Sequence, residues 1–163
     1  MFPDDIDALA RQVVDTAAAR GLMIATAESC TGGLVAGALT AVAGSSAVVE
    51  RGFVTYSNAA KSELLGIPAE LIDEYGAVSA AVARAMAQGA LARSAATVTV
   101  AVTGIAGPGG GSVDKPVGLV HFAAAGPVGL VHLERRFGDI GREAVRLESV
   151  RAALRLLLDR IGG

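Results

Sequence analysis

Three polar residues of this chain have the types and positions that hydrolytic chemistry requires. Ser29 follows an apolar run of strand length, residues 22–27, and precedes a segment with helical periodicity. Tyr56 lies at the end of a second strand-like segment, and Lys61 falls in the first turn of the helix predicted after it. Ligands bind at the carboxyl ends of strands in open α/β sheets, so the pattern predicts a cleft with a Ser/Lys pair.

The segment from Glu28 to Gly33 joins a strand to a helix and has the character of an anion site. Unpaired N–H groups at a helix start hold phosphates or developing oxyanions, and Gly32 and Gly33 let a ligand approach the backbone. The segment lacks the Gly-Lys-Ser/Thr ending of an NTP-binding loop and the Gly-x-Gly-x-x-Gly pattern of a dinucleotide site. The pattern alone favours a functional Ser29 and a helix cap at Ser29 or Thr31 about equally.

Lys61 is a candidate general base. Cations are usually disfavoured near the N-terminal, positive end of a helix dipole, which is where Lys61 falls. Partial burial there would lower the pKa of the amine. A neutral amine is a usable base. A solvated surface lysine is the commoner outcome for such a position, and the residue pattern alone favours it.

A glycine-rich loop, residues 104–112, contains five glycines. It follows the strand predicted at 97–103, so it can lie beside the Ser29 loop. Its length and looseness favour a ligand-covering role over a simple hairpin connection. Arg142 and Arg146, one turn apart near the start of the last predicted helix, could reach an anion, although solvated helix arginines are commoner.

Cys30 is a weaker candidate for a nucleophile. Its thiolate at a helix start would need His121 or His132 as a partner, and both histidines fall within predicted strands. Together these three residues do not form a metal-ligand set, and we expect neither a metal nor a cofactor.

Strand and helix patterns alternate through the first two thirds of the chain, and two strands joined near Gly126 follow. This order predicts a three-layer α/β/α fold with a mixed sheet, as one domain over residues 1–163. The predicted helices cover residues 3–20, 34–42, 59–65, 68–74, 79–94 and 142–160, and the predicted strands 22–27, 48–56, 97–103, 117–125 and 129–136.

Composition excludes several classes of function. The net charge is −2, from 14 basic and 16 acidic residues without long runs, so no nucleic-acid footprint is expected. The longest apolar stretches are too short to span a membrane. A single cysteine and an acidic N-terminus without a basic signal region favour a soluble protein of the cytoplasm.

Six segments together resemble the CinA C-terminal domain family, and they agree with it in order and spacing from about Ile6 to Leu158. The segments are Thr26-Ala-Glu-Ser-Cys-Thr-Gly-Gly33, Gly44-Ser-Ser46, Arg51-Gly-Phe-Val-Thr-Tyr-Ser-Asn58 with Lys61, Gly76-Ala-Val-Ser79, Gly104-Ile-Ala-Gly-Pro108 and Lys115-Pro-Val-Gly118.

The resemblance implies an amidohydrolase that converts nicotinamide mononucleotide to nicotinic acid mononucleotide and ammonia. It implies Ser29 as nucleophile, Lys61 as base and Tyr56 as a third catalytic group. The small-molecule substrate is expected to contact Thr31, Gly32, Gly33, Ser46, Arg51, Thr103, Gly104, Ile105, Ala106, Gly107 and Arg142. The family's Gly-Asp-Arg run is interrupted here by Ile140 and Gly141, which leaves Arg142 rather than Asp139 as the expected anion contact.

Two other classes of function stay open at this point. A non-catalytic nucleotide-binding module of the same family would use the loops to hold a phosphate and Ser29 only as a cap. A structural domain for oligomer formation would use the alanine-rich helix of residues 79–94. We favour the enzyme and expect it to be a homo-oligomer.

Overall fold

Helices cover both faces of one mixed β-sheet in the computed structural model, which describes residues 1–162. None of the helices in this range is both long and apolar enough to cross a membrane. The helices are α1 (Asp4–Ala19), α2 (Leu34–Thr40), α3 (Asn58–Leu65), α4 (Ala69–Tyr75), α5 (Ala80–Ala92) and α6 (Arg142–Gly162), with a 3₁₀ turn at Ser45–Ala47. The strands are β1 (Ile24–Glu28), β2 (Val49–Val54), β3 (Val98–Gly104), β4 (Leu119–Gly126) and β5 (Gly129–Arg136).

The strands lie in the order β2-β1-β3-β4-β5. β1 runs parallel to both β2 and β3, whereas β4 is antiparallel to β3 and to β5. The chain thus goes from β1 to β2 on one side and then crosses to β3 on the other side. Such a reversal opens a crevice at the carboxyl ends of the two inner strands.

The two faces of the sheet carry different helices. Helices α1, α2 and α6 cover one face, and α3, α4 and α5 cover the other. The first core contains large side chains such as Phe122 and Leu154, both fully buried. The second is built mainly from alanines of α5 and the sheet, and this lets α5 approach closely. Gly89 of α5 lies so near α3 that a Cβ there would stand 2.2 Å from the carbonyl oxygen of Leu65.

Helix ends follow local chemistry near the crevice. Ser57 caps α3 by accepting a hydrogen bond from the amide of Ala60, and Ser79 caps α5 in the same way. Helix α2 instead begins after Gly33, whose φ of 102° is left-handed and whose position offers no side-chain cap. Its first amides need another acceptor.

The predicted fold class is confirmed, and the element boundaries differ by a few residues. The hairpin near Gly126 is present, with Gly126 paired to Gly129. β1 starts two residues later than predicted and includes Glu28, because the Glu28 carbonyl still accepts a sheet-like hydrogen bond from Thr55. The last helix extends to Gly162 rather than Arg160.

Candidate active site

A cavity of about 260 Å³ lies at the carboxyl ends of β1, β2 and β3. It has the position that ligands take in open α/β sheets, and a volume near the lower end for small-molecule sites. It is lined by Ser29, Cys30, Tyr56, Asn58, Lys61, Ala77, Val78, Thr103, Gly104, Ile105, Ala106, Gly107, Gly109, Gly110 and Arg142.

Ser29 and Lys61 meet at the base of this cavity. The Lys61 Nζ lies 2.9 Å from the Ser29 Oγ and 2.8 Å from the carbonyl oxygen of Thr55. A neutral amine donates one hydrogen to Thr55, which leaves its lone pair free to accept the Ser29 hydroxyl hydrogen. The pair therefore has the geometry of a nucleophile and its base.

The surroundings of Lys61 favour the neutral amine. The side chain is only 1% exposed, and burial lowers its pKa below the ordinary value of 10.5. A thiolate at Cys30 would oppose this shift, but burial also raises the pKa of the Cys30 thiol, to about 12. Cys30 is therefore uncharged near neutral pH, and no anion of that residue holds the proton on Lys61.

A buried carboxylate anchors the segment that carries Ser29. The fully buried Glu28 accepts hydrogen bonds from the amides of Val35 and Ala36, at 2.8 and 3.0 Å, and so caps α2 from the strand side. It also accepts from the hydroxyls of Thr26 and Thr31. The amide of Ser29 itself donates to the carbonyl of Val102, which ties the segment to β3.

Arg142 bridges the mouth of the cavity. Its guanidinium donates to the carbonyl oxygen of Gly107 at 2.7 Å and to the hydroxyl of Tyr56 at 2.8 Å. The bridge links the glycine-rich loop to the end of β2 and places a positive charge over the cavity. The Tyr56 hydroxyl is thus held by Arg142, while Lys61 is oriented by Thr55.

The structure brings most of the predicted site residues together. The three expected catalytic residues line the cavity, as do Arg142 and the expected loop residues Thr103, Gly104, Ile105, Ala106 and Gly107. The hydroxyl of Thr103 already donates to the carbonyl of Ala77, so its oxygen is left only as an acceptor.

Five predicted substrate contacts lie outside the lining of this cavity. Thr31, Gly32 and Gly33 belong to the Ser29 loop, and the hydroxyl of the buried Thr31 is used by Glu28. Ser46 lies in the 3₁₀ turn before β2, toward the opposite edge of the sheet. Arg51 binds Glu50 and the carbonyl of Arg93 at the far end of α5, because the strand directs it away from the cavity.

Sequence reasoning assigned no role to several residues that build the site. Glu28 was considered only as part of a loop, although a carboxylate ending an apolar strand is itself a signal of a buried acceptor. Asn58 was named only as the end of a family-like segment, yet it lies one helical turn before Lys61 and lines the cavity. Ala77 and Val78 belong to the family-like segment Gly76-Ala-Val-Ser79, but no site role was assigned to them, since their place in the cavity depends on how α4 and α5 pack.

The two histidines bind each other rather than Cys30. The His121 Nδ1 and the His132 Nε2 lie 2.9 Å apart, with the rings stacked, on neighbouring strands β4 and β5. Burial and nearby positive charge lower the pKa of both imidazoles. Within residues 1–162, no three His, Cys, Asp or Glu side chains are grouped as metal ligands would be.

Comparison with known proteins gives concordant matches. The model of the CinA C-terminal domain matches residues 6–161. A CinA-like protein of Synechococcus sp. (strain RCC307) is 55% identical over 157 residues, but the chain spans only 38% of that relative's length. The nicotinamide-nucleotide amidohydrolase PncC of Enterobacter agglomerans is 52% identical over 140 residues, which are 86% of this chain and 85% of that protein.

Solved structures agree with these matches. The competence/damage inducible protein CihA of Agrobacterium tumefaciens is 57% identical and superposes with a TM-score of 0.97, covering 100% of this chain and 99% of that one.

Proposed function

Because the chain belongs to the CinA C-terminal domain family, we propose that it is an amidohydrolase that converts nicotinamide mononucleotide and water to nicotinic acid mononucleotide and ammonia. The observation that carries the proposal is the 2.9 Å contact between the Lys61 Nζ and the Ser29 Oγ in a cavity at the sheet edge. The similarity over most of both chains to a protein named nicotinamide-nucleotide amidohydrolase supports this substrate class.

Ser29 and Lys61 would carry the covalent steps. The Ser29 Oγ attacks the carboxamide carbon while Lys61 accepts the hydroxyl proton, and a tetrahedral intermediate forms. The C–N bond then breaks, and ammonia leaves with the proton that Lys61 returns. Lys61 next deprotonates a water molecule, which attacks the acyl-serine and releases the carboxylate product and the free Ser29 hydroxyl.

The oxyanion of the intermediate needs donors beside Ser29. The Ser29 amide is unsuitable because it donates to Val102. Within residues 1–162 the Cys30 amide donates to no other residue, although it lies near the uncharged thiol of its own side chain. It directly follows the nucleophile, so we assign it as an oxyanion donor. Preorganised backbone donors of this kind contribute roughly 3–4 kcal/mol each in other acyl-transfer enzymes.

The mouth of the cavity would bind the nucleotide part of the substrate. Arg142 supplies a positive charge and the guanidinium N–H groups that Gly107 and Tyr56 do not use, and the amides of the glycine-rich loop lie beside it. Tyr56, held by Arg142, belongs to this substrate side rather than to the proton path. Two accompanying expectations, a cytoplasmic location and a homo-oligomer, stay predictions.

Ammonia release from nicotinamide mononucleotide tests the proposal. We expect release by the purified protein, none by Ser29→Ala, and normal release by Ser62→Ala, a matched change on α3 outside the cavity lining. Release by Ser29→Ala would remove Ser29 as nucleophile. Nucleotide binding without release by the unaltered protein would favour a non-catalytic binding module.

A further inference from the structure

Two charged side chains, one from the sheet and one from α6, hold the Ser29 loop from different sides. Glu28 accepts from the amides at the start of α2 and from the Thr31 hydroxyl. Arg146 donates from its Nε to the carbonyl of Cys30, at 3.1 Å, and from its Nη2 to the carbonyl of Thr31, at 3.2 Å. Cys30 and Thr31 of the loop are thus held by Arg146, and the first turn of α2 that follows the loop is held by the buried Glu28.

The contacts of Arg146 determine which way the loop amides point. The peptide bonds of this loop are trans, because the cis bond in the chain is Gly107-Pro108. In a trans peptide the N–H points opposite to the C=O. Since the Cys30 and Thr31 carbonyls face Arg146, the amides of Thr31 and Gly32 face away from it, and that of Gly32 donates to the Ser29 carbonyl. This turn sets the direction of the Ser29 carbonyl and of the Cys30 amide in the same peptide unit.

Close packing of Arg146 against Gly32 supports a specific fit. Gly32 has a φ of +57°, and a Cβ at this position would stand 3.3 Å from the Arg146 Nη2. Arg146 does not line the cavity that holds Ser29. It borders a different cavity of about 560 Å³, together with Leu34 and Leu147. The guanidinium therefore reaches the nucleophile loop from outside the lining of the Ser29 cavity, in a second cavity that shares Arg142 with it.

We infer that Arg146 and Glu28 are positioning residues that orient the Cys30 amide as an oxyanion donor beside Ser29. Arg146 holds the loop carbonyls, and Glu28 holds the amides of the following helix turn. The inference rests on the proposed amidohydrolase function for its catalytic consequence. The order of the loop itself is a separate, measurable property.

Kinetics of Arg146→Met test the catalytic consequence. Losing one oxyanion donor costs about 100-fold or more in kcat in other enzymes, and we expect a loss of that order with KM unchanged. Millimolar guanidinium added to this variant should restore part of kcat, since the cavity behind the loop admits it, and Arg146→Lys should retain part of it. Arg155→Met, a surface change on the same helix, is the control and should match the unaltered protein.

Backbone ¹⁵N relaxation of the Cys30 and Thr31 amides is the second readout, and it does not depend on turnover. We expect these amides to become mobile in Arg146→Met and Glu28→Gln but not in Arg155→Met. Wild-type kcat in Arg146→Met, or a loss that neither guanidinium nor lysine restores, overturns the inference. If the unaltered protein releases no ammonia, the proposed function fails, and the relaxation data alone test the inference. Unchanged loop order in Arg146→Met and Glu28→Gln then overturns it. Loop order that is lost only in these two variants upholds it.

Discussion

The amine of Lys61 lies 2.9 Å from the hydroxyl oxygen of Ser29, although the two residues are 32 positions apart in the chain. Thr55 makes the contact possible. Its amide binds the Glu28 carbonyl next to Ser29, and its own carbonyl accepts from Lys61. A short hydrogen-bonded connection between β1 and the end of β2 thus sets the distance between nucleophile and base.

Replacement of Lys61 by methionine separates catalysis from stability. We expect kcat for ammonia release to fall roughly 100- to 10,000-fold, the usual contribution of a positioned base. The free energy of unfolding in urea should change little, because removal of a buried amine whose protonation burial disfavours offsets the loss of its hydrogen bond to the Thr55 carbonyl. Lys115→Met, at the chain's other lysine, is the control for kcat. An unchanged kcat in Lys61→Met would exclude Lys61 from the mechanism.

The pH dependence of activity follows from the same burial. Because the folded protein lowers the pKa of Lys61, kcat/KM should rise with pH up to that lowered pKa and then level off. The unfolded chain still binds this proton up to about pH 10.5. Between the two pKa values the unfolded state therefore holds more protons on Lys61, and this residue should make the free energy of unfolding increase with pH. Above about pH 9 Cys30 acts in the opposite direction, because folding raises its pKa from 9.0 to about 12.

Two measurements check this pH prediction. A pH–rate profile should show the acid limb, and urea unfolding at a series of pH values should show the rise in stability. That rise should be absent in Lys61→Met. A kcat/KM that declines steadily from acidic to alkaline pH would contradict the assignment of a neutral lysine base.

Substitution of Arg142 by glutamine tests the substrate side of the cavity. It removes two charge-assisted hydrogen bonds, to Gly107 and Tyr56, and the cation at the cavity mouth. A charge-assisted hydrogen bond from Arg142 to the substrate phosphate would contribute about 1.5–3 kcal/mol, so KM for nicotinamide mononucleotide should rise about 10-fold or more with a smaller change in kcat. The riboside, which lacks the phosphate, should show no such rise. An equal rise for both compounds would show that Arg142 does not bind the phosphate.

The His121–His132 pair should make stability depend on pH below neutrality. Burial, Arg84, Lys115 and Arg136 lower the imidazole pKa values from 6.5, against the opposing effect of Glu134. The unfolded chain binds protons first as the pH falls, so the free energy of unfolding should decrease from pH 6.5 down through the folded-state pKa values. Urea unfolding measures this. His132→Gln should flatten the dependence, and an equally steep decline in that variant would contradict the role of the pair.

The Gly89→Ala substitution has two opposing effects on stability, one from helix propensity and one from packing. Alanine in a helix interior is favoured over glycine by about 1 kcal/mol. Here, however, the added Cβ would stand 2.2 Å from the carbonyl oxygen of Leu65. We expect the free energy of unfolding to fall by about 1–3 kcal/mol, the usual cost of overpacking. Gln88→Ala, an exposed neighbour, is the control and should stay within about 0.5 kcal/mol of the unaltered protein. A more stable Gly89→Ala protein would mean that α3 and α5 separate easily.

The local features of this fold were accessible to sequence reasoning. Hydrophobic periodicity and turn residues are local signals that span only a few positions of the chain. The alternation of strands and helices and the hairpin at Gly126 could therefore be predicted from them. The closeness of Ser29 to the glycine-rich loop could also be predicted. Each comes directly after a strand, and the carboxyl ends of parallel strands meet at the same edge of the sheet. Only the boundaries moved, as with Glu28, whose inclusion in β1 depends on a hydrogen bond from Thr55.

Contacts that depend on three-dimensional packing were not accessible in this way. Arg51 was expected at the substrate because it shares a motif with Tyr56, but the strand turns its side chain toward Glu50 and α5. Glu28 was overlooked because two of its partners are backbone amides seven and eight residues away. Backbone N–H donors carry no residue-type signal, so only the folded loop shows these contacts.

The buried state of Cys30 has a practical consequence for studying the molecule in solution. Thiol reagents attack through the thiolate, and a thiol with a pKa of about 12 is almost never ionised at neutral pH. A cysteine introduced at Val113, which is 98% exposed beside the glycine-rich loop, would therefore be the one that a maleimide dye modifies. A fluorescent reporter beside the glycine-rich loop thus requires no prior removal of the native cysteine.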